Sequence, residues 1–188
     1  MVYTTFGDDM KALAHFKTIT KHKIIVGRLC FRVGLYKQGL CHDLSKYSWC
    51  EFSTGAHYYQ GTYSPNAAER REKGYSLAWL HHKGRNKHHW EFWVDFTREG
   101  MKPARMPYRY VTEMFCDRVA ASMVYKGTDY DDAYPLYYYK QGAHAYCMDP
   151  MTRALLVYQL TYLKEHGMKK TLAMIKKKKD YTDYDLDK

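Results

Sequence analysis

Apolar residues recur at helical spacing over a long stretch near the N-terminus, from Asp8 to about Leu35. The apolar positions are Met10, Leu13, Ala14, Phe16, Ile19, Ile24, Ile25, Leu29 and Val33. This pattern predicts an amphipathic helix, for which Asp8 or Asp9 is a suitable N-cap. The helix carries His15 and His22, which are two turns apart and therefore point the same way. Either histidine could face a site on the buried side.

The rest of the chain also shows helical patterns and no alternating strand pattern longer than a few residues. We expect a helix or a broken pair over 40–59, then helices over 67–82 (capped by Asn66), 107–126, part of 129–146, 150–166 (ended by Gly167) and 169–178. Loops are expected at 61–65 and 100–106, where turn residues cluster. The predicted fold class is all-α. We expect one domain over 1–188, with a core of about 8–126 and a C-terminal helical extension of about 129–180.

A chain of 188 residues with 46% hydrophobic content is long enough to bury a core as one domain. Its five cysteines are odd in number and show no CxxC spacing, which argues against a disulfide framework and a zinc ribbon. The N-terminus lacks a basic region followed by an apolar one, and no segment is apolar over the length of a membrane span. These features predict a cytoplasmic protein without a membrane partner.

A histidine directly followed by an aspartate, His42-Asp43, places two metal-ligand side chains on one short segment. Such a pair is common by chance, so its meaning depends on further histidines and a distant carboxylate. The chain supplies both. The candidate metal ligands are His22, His42, Asp43, one of His81 and His82, one of His88 and His89, and Asp117. Two neighbouring ions would need a bridging carboxylate, and Asp43 is the natural candidate.

Each histidine doublet leaves a choice, and for His81 and His82 the reason is that adjacent residues on a helix point about 100° apart, so that one of them faces a site comfortably. We choose His82 from the first doublet. From the second we place His89 on the metal and His88 near the substrate, and the reverse assignment stays open. His15 could replace His22, although we assign His15 a structural role.

Asp117 lies on the apolar stripe of the helix predicted over 107–126. A carboxylate in such a position is costly unless a cation or a metal ion meets it. An ordinary salt bridge is the alternative to metal binding here.

The order H…HD…H…H…D resembles the HD-domain superfamily of metal-dependent hydrolases, and the segment 42–46 is similar to its HDxxK motif. The segment 80–90 further resembles a poorly characterised bacterial and phage group of HD-like proteins with an HHxxxNxHHW signature. The resemblance covers about Lys11 to Lys126. It implies a domain of the HD type with a metal site at the centre of the helix bundle. One or two divalent ions, drawn from Mn, Fe, Mg, Zn and Co, would be bound there.

The resemblance implies a phosphohydrolase in which a metal-activated water attacks a phosphate ester such as a nucleotide. Asp43, Lys46 and His88 are the expected catalytic residues, and Lys46, Arg85, Lys87 and His88 are expected to bind the substrate. The formal charge of +10 favours such an anionic small molecule.

Two alternatives stay open at this point. The first is a diiron oxygenase of the HD type, because the same set of six ligands can hold two irons. The second is a non-catalytic protein that binds nucleotides or nucleic acid, for which the basic charge and the 20 tyrosines give a generic argument.

Overall fold

The computed structural model describes residues 6–177. Within that range the chain forms eight α-helices, joined by short 3₁₀ segments and one small β-hairpin. The helices are α1 (Phe6–Arg32), α2 (Tyr36–Cys41), α3 (Trp49–His57), α4 (Pro65–Lys73), α5 (Leu77–Lys83), α6 (Tyr108–Lys126), α7 (Tyr134–Gly142) and α8 (Pro150–Lys177). The predicted all-α class is therefore confirmed.

Several predicted boundaries were wrong for local reasons. Helix α1 begins at Phe6, so neither Asp8 nor Asp9 caps it. The helix predicted over 67–82 is split into α4 and α5 at Gly74, whose φ of 80° ends α4 in the left-handed conformation. Ser64, not Asn66, precedes α4, because Pro65 occupies the first turn, where its missing N–H costs nothing.

The hairpin corrects the predictions of an aromatic segment through residue 96 and a loop over 100–106. Strand β1 (Val94–Thr97) pairs antiparallel with β2 (Gly100–Pro103), and Phe96 lies opposite Met101. Each strand has four residues, too few to show a period of two. Phe96 and Met101 are both exposed, so the hairpin also lacks the alternation of apolar and polar residues that a buried face would produce.

The C-terminal region keeps its predicted break at Gly167. This residue has φ 76° and ψ 165° inside α8, and the carboxylate of Asp132 accepts a hydrogen bond from the backbone N–H of Met168 at 3.0 Å. The kink separates the two helices that the sequence predicted. The last residue of the second predicted helix, Lys178, and the rest of the predicted extension to residue 180 lie outside the described residues.

One hydrophobic core joins the N-terminal and C-terminal parts of the chain. It includes Val26 from α1, Phe115 and Val119 from α6, and Leu156 and Leu160 from α8, all of them fully buried. The C-terminal helices thus complete a single domain and support the inner side of α6. Over residues 6–177, no helix is both long enough and apolar enough to cross a membrane.

Candidate metal centre

Asp43 lies at the centre of a buried cluster of histidines and carboxylates. It follows α2 and precedes a 3₁₀ segment over Leu44–Tyr47. Its φ of 52° is the only positive value at a non-glycine position in the described chain. Aspartate tolerates this conformation better than most residues, and strained backbone of this kind is frequent at functional sites. The turn holds a carboxylate that is 1% exposed inside the bundle.

The first group of candidate ligands gathers around Oδ2 of Asp43. This oxygen lies 3.3 Å from Nε2 of His42 and 3.9 Å from Nε2 of His22. Asp117, on α6, approaches the same two ring atoms, with its Oδ1 at 2.9 Å from His22 and 3.5 Å from His42. The four donor atoms of this group lie within 4.8 Å of one another, a spacing compatible with one metal ion.

A second group gathers around the other oxygen of the same carboxylate. Oδ1 of Asp43 lies 3.3 Å from Nε2 of His82 and 3.4 Å from Nε2 of His88. His89 completes the group, with its Nε2 at 2.9 Å from that of His82. His82 comes from α5, whereas His88 and His89 follow the turn after it. Asp43 therefore faces two adjacent groups, one with each oxygen.

Several of these buried atoms have no hydrogen-bond partner within residues 6–177. They are Nε2 of His42, Nε2 of His88 and Oδ1 of Asp43, whereas Oδ2 of Asp43 is paired with the ammonium of Lys46 at 2.6 Å. Buried polar atoms are seldom left unpaired, because each costs roughly 1–3 kcal/mol. Converging imidazole nitrogens around a shared carboxylate suit divalent ions such as Mn, Fe, Co or Zn better than Mg, which prefers oxygen ligands. The donor set therefore fits one or two metal ions.

Carboxylates hold the opposite sides of three histidine rings. Glu113 Oε1 lies 3.0 Å from Nδ1 of His42 and 3.2 Å from Nδ1 of His88. Glu51 Oε2 lies 2.7 Å from Nδ1 of His82. Such partners fix the ring orientation and leave Nε2 free to bind a metal ion.

Hydrogen bonds of Asn86 fix the turn that carries the second doublet. Its Nδ2 donates to the backbone oxygen of His82 and to Oγ of Ser45, each at 2.8 Å. Asn86 thereby ties the turn after α5 to the segment that contains Asp43.

Burial and charge together shift the pKa values of the cluster. Burial alone would raise the pKa of Asp43, but the charges of His42, Lys46 and His82 outweigh it and hold that pKa well below its ordinary value. Burial likewise opposes ionisation of Asp117, whose pKa is nevertheless held well below its ordinary value by its hydrogen bonds to His22 and His42. The centre thus holds two ionised carboxylates, Asp43 in the interior and Asp117 in the wall of a cavity.

The pKa values of four histidines in the cluster are shifted, two of them upward and two downward. The pKa of His42 is raised well above its ordinary value, because the charge of Asp43 outweighs burial. The pKa of His82 is raised in the same way. Burial lowers the pKa of His22, with help from the charge of Lys46, and it lowers that of His89 well below the ordinary value, with help from His88. His22 and His89 are therefore neutral, the form that binds metal ions.

A cavity of about 340 Å³ opens onto one side of the centre. Four of the candidate ligands and Lys46 line it; the ligands are His22, His82, His89 and Asp117. Aromatic residues line other parts of the wall, namely Tyr59, Tyr63, Trp79, Tyr125, Tyr134 and Tyr138. The cavity gives a small molecule direct access to both groups of candidate ligands.

The structure brings together all six predicted metal ligands and places His88 with them. His81 turns to Oε1 of Glu51, at 2.6 Å, and stays outside the ligand groups. Lys46 lies 2.6 Å from Oδ2 of Asp43 and lines the cavity.

Arg85 and Lys87 do not meet the cavity, contrary to the expectation that they bind the substrate. Nη1 of Arg85 donates to the backbone oxygen of His81 at 3.3 Å. The ammonium of Lys87 lies 5.5 Å from the ring centre of Phe92. Both side chains are exposed, because the turn that places His88 and His89 inside points its cations outward.

Glu51 and Glu113 are the members of the site that sequence reasoning missed. Glu113 precedes Asp117 by four residues, one helical turn, and so shares its face, which is a signal that the sequence contains. Glu51 has no such signal, because its position depends on how α3 packs against α5.

Residues 11–162 match a family of unknown function, DUF5662. The chain belongs to this family. The matched range includes every candidate ligand together with Glu51 and Glu113. No curated protein and no solved structure matches the chain.

Proposed function

We propose that this member of DUF5662 is a metal-dependent hydrolase that acts on a small phosphate ester. The observation that carries the proposal is the position of Asp43, whose two buried oxygens face two separate groups of histidines. When bound there, a pair of divalent ions would act as Lewis acids on the phosphoryl group and lower the pKa of a coordinated water. His22, His42 and Asp117 would hold one ion, His82, His88 and His89 the other, and Asp43 both.

Residues around the centre supply the remaining requirements. Lys46 has a raised pKa, because the charge of Asp43 outweighs burial, so it stays cationic in the wall of the cavity. A fixed ammonium in this position suits the binding and charge neutralisation of phosphoryl oxygens.

The cavity supports a small substrate over a polymer. Its volume of about 340 Å³ lies within the range of roughly 300–1,000 Å³ typical of small-molecule sites. The surrounding tyrosines offer aromatic faces and hydroxyl groups for the organic part of the ester.

Elemental analysis followed by phosphate-release assays tests the proposal. Protein purified without air should contain up to two divalent ions per chain. After reconstitution with Mn²⁺, Co²⁺ or Zn²⁺ it should release inorganic phosphate from a panel of phosphate monoesters that includes nucleoside monophosphates. Asp43→Asn should abolish this release, whereas Arg85→Gln, outside the cavity, should leave it unchanged. Absence of phosphate release with every metal and ester would overturn the proposal.

The same preparation distinguishes the diiron alternative, which shares the ligand set. An iron-loaded protein that shows a mixed-valence electron paramagnetic resonance signal and consumes O₂ in the presence of a substrate would support the oxygenase instead. Phosphate release with a metal that has no redox chemistry, such as Zn²⁺, would support the hydrolase.

A further inference from the structure

Glu113 contacts both groups of candidate ligands with one oxygen atom. Its Oε1 lies 3.0 Å from Nδ1 of His42, a member of the first group, and 3.2 Å from Nδ1 of His88, a member of the second. Glu113 is 5% exposed, and both histidines are 1% exposed. The two rings lie against each other, with centroids 4.4 Å apart. Glu113 therefore contacts both rings directly.

Glu51 offers a comparison within the same site. It also accepts from two histidines, since its two oxygens lie 2.6 Å from Nδ1 of His81 and 2.7 Å from Nδ1 of His82. His82 belongs to the second group, whereas His81 belongs to neither group. Glu51 therefore supports one candidate metal position, and Glu113 supports two.

The physical consequence follows from what a carboxylate does to a metal-binding histidine. A carboxylate at Nδ1 fixes the orientation of the ring and makes its Nε2 a stronger donor. Here the Nε2 atoms of both rings point at Asp43, one to each oxygen. His42, His88 and Glu113 are also close enough together to surround an ion. However, Oε1 of Glu113 already lies at hydrogen-bonding distance from Nδ1 of both histidines. This third group is therefore better suited to orient the two rings than to bind an ion.

We propose that Glu113 is a positioning residue that couples the two metal positions. Its Oε1 already holds the rings of His42 and His88 in the orientation that points each Nε2 at Asp43. Loss of this one carboxylate therefore releases a ligand of each candidate ion, and the affinities of both ions depend on it. This inference rests on the two-ion site of the proposed function, but it does not depend on the reaction catalysed.

Titration of metal-free protein with Co²⁺ tests the coupling, because the visible absorption of Co²⁺ reports both stoichiometry and ligand geometry. The wild type should bind two ions. Glu113→Gln should weaken the binding of both ions by about 10–100-fold. Glu51→Gln should weaken one ion by a similar factor and leave the other unchanged.

Glu69→Gln provides a matched control for the loss of a buried carboxylate. Glu69 is 1% exposed and accepts a hydrogen bond from Ser76 at 2.6 Å, away from the candidate ligands. This variant should bind Co²⁺ as the wild type does. A second readout needs no metal ion: proton NMR of the metal-free protein should show hydrogen-bonded Nδ1–H signals of His42 and His88, and Glu113→Gln should shift both. Circular dichroism verifies that each variant folds.

Two outcomes would overturn the inference. In one, the wild type binds fewer than two Co²⁺ ions. In the other, folded Glu113→Gln keeps both affinities or loses only one of them. A wild type that binds two ions, with both affinities dependent on Glu113, but releases no phosphate would instead refute the proposed hydrolase and leave the coupling intact, so the two failures are distinguishable.

Discussion

Gly55 on α3 lies directly against the imidazole of His15 on α1. A Cβ atom at position 55 would overlap Nε2 of that ring. The ring is also enclosed by Phe52 and Tyr59, whose centroids lie 5.4 Å and 5.7 Å from its own. The contact sets how closely α3 approaches α1, and with it the distance between Glu51 on α3 and His22 on α1.

Gly55→Ala should destabilise the fold because the added methyl group displaces the His15 ring. Overpacking of this kind costs about 1–3 kcal/mol in the free energy of unfolding, which urea denaturation measures. The double variant Gly55→Ala with His15→Ala should be less destabilised than the sum of the two single changes, because removal of the ring relieves the overlap. If the losses of unfolding free energy in the two single variants simply add in the double variant, the His15 ring is not what the added methyl group displaces.

His15 should make the stability fall in mild acid. Burial, aided by the charge of Lys46, lowers its pKa from 6.5 to about 4. Between these values the unfolded chain binds a proton that the folded chain does not, so the unfolding free energy decreases as the pH falls from 6.5 to about 4. Above pH 6.5 the residue is neutral in both states and adds no pH dependence.

Urea denaturation at several pH values measures this effect. His15→Gln, which cannot titrate, should lose less stability than the wild type between pH 6.5 and 4. The two proteins should show the same slope above pH 6.5. Equal slopes throughout would mean that His15 is protonated in the folded state.

Asp43→Asn should remove both metal ions, whereas Asp117→Asn should remove one. The reason is that Asp43 offers one oxygen to each group and Asp117 belongs only to the first. Asparagine tolerates the left-handed backbone at position 43, so the variant should fold, whereas alanine would add backbone strain. Elemental analysis of the purified proteins measures the effect, and two ions retained by Asp43→Asn would contradict it.

Lys46 should contribute to substrate binding, and the two turn cations should not. Lys46→Gln should raise the KM for phosphate esters by about tenfold or more, the loss expected when a charged hydrogen bond is removed. Arg85→Gln and Lys87→Gln should change KM by less than about twofold, because both side chains lie outside the cavity. Steady-state kinetics on one ester at saturating metal would check all three variants.

The sequence could predict the parts of the site whose residues are close together in the chain, because local backbone geometry then places them near each other. His42 and Asp43 are adjacent, and Lys46 follows at a fixed offset, so one local turn determines their relationship. Neighbouring helical residues diverge, so one member of the pair His81 and His82 was expected to face the site, but this geometry did not say which one; the structure places His82 in a ligand group. The meeting of His22 with Asp117, 95 residues apart, depended on the family resemblance.

The parts that could not be predicted depend on packing or on weak local signals. Both histidines of the second doublet reach the centre because they follow a turn instead of continuing a helix, which the 100° rule for helices did not cover. The directions of Arg85 and Lys87 follow from the same turn. The β-hairpin is exposed and has four-residue strands, so neither burial nor alternation marked it.

The spread of the candidate ligands from α1 to α6 also governs when the centre can form during protein synthesis. A nascent chain that has not yet released residue 117 from the ribosome lacks the closing carboxylate of the first group. The ligands of the second group all lie before residue 90, so they leave the ribosome earlier than Asp117, and the core contacts of α8 arrive later still. If the two groups bind ions as proposed, the second position is therefore complete in the nascent chain before the first.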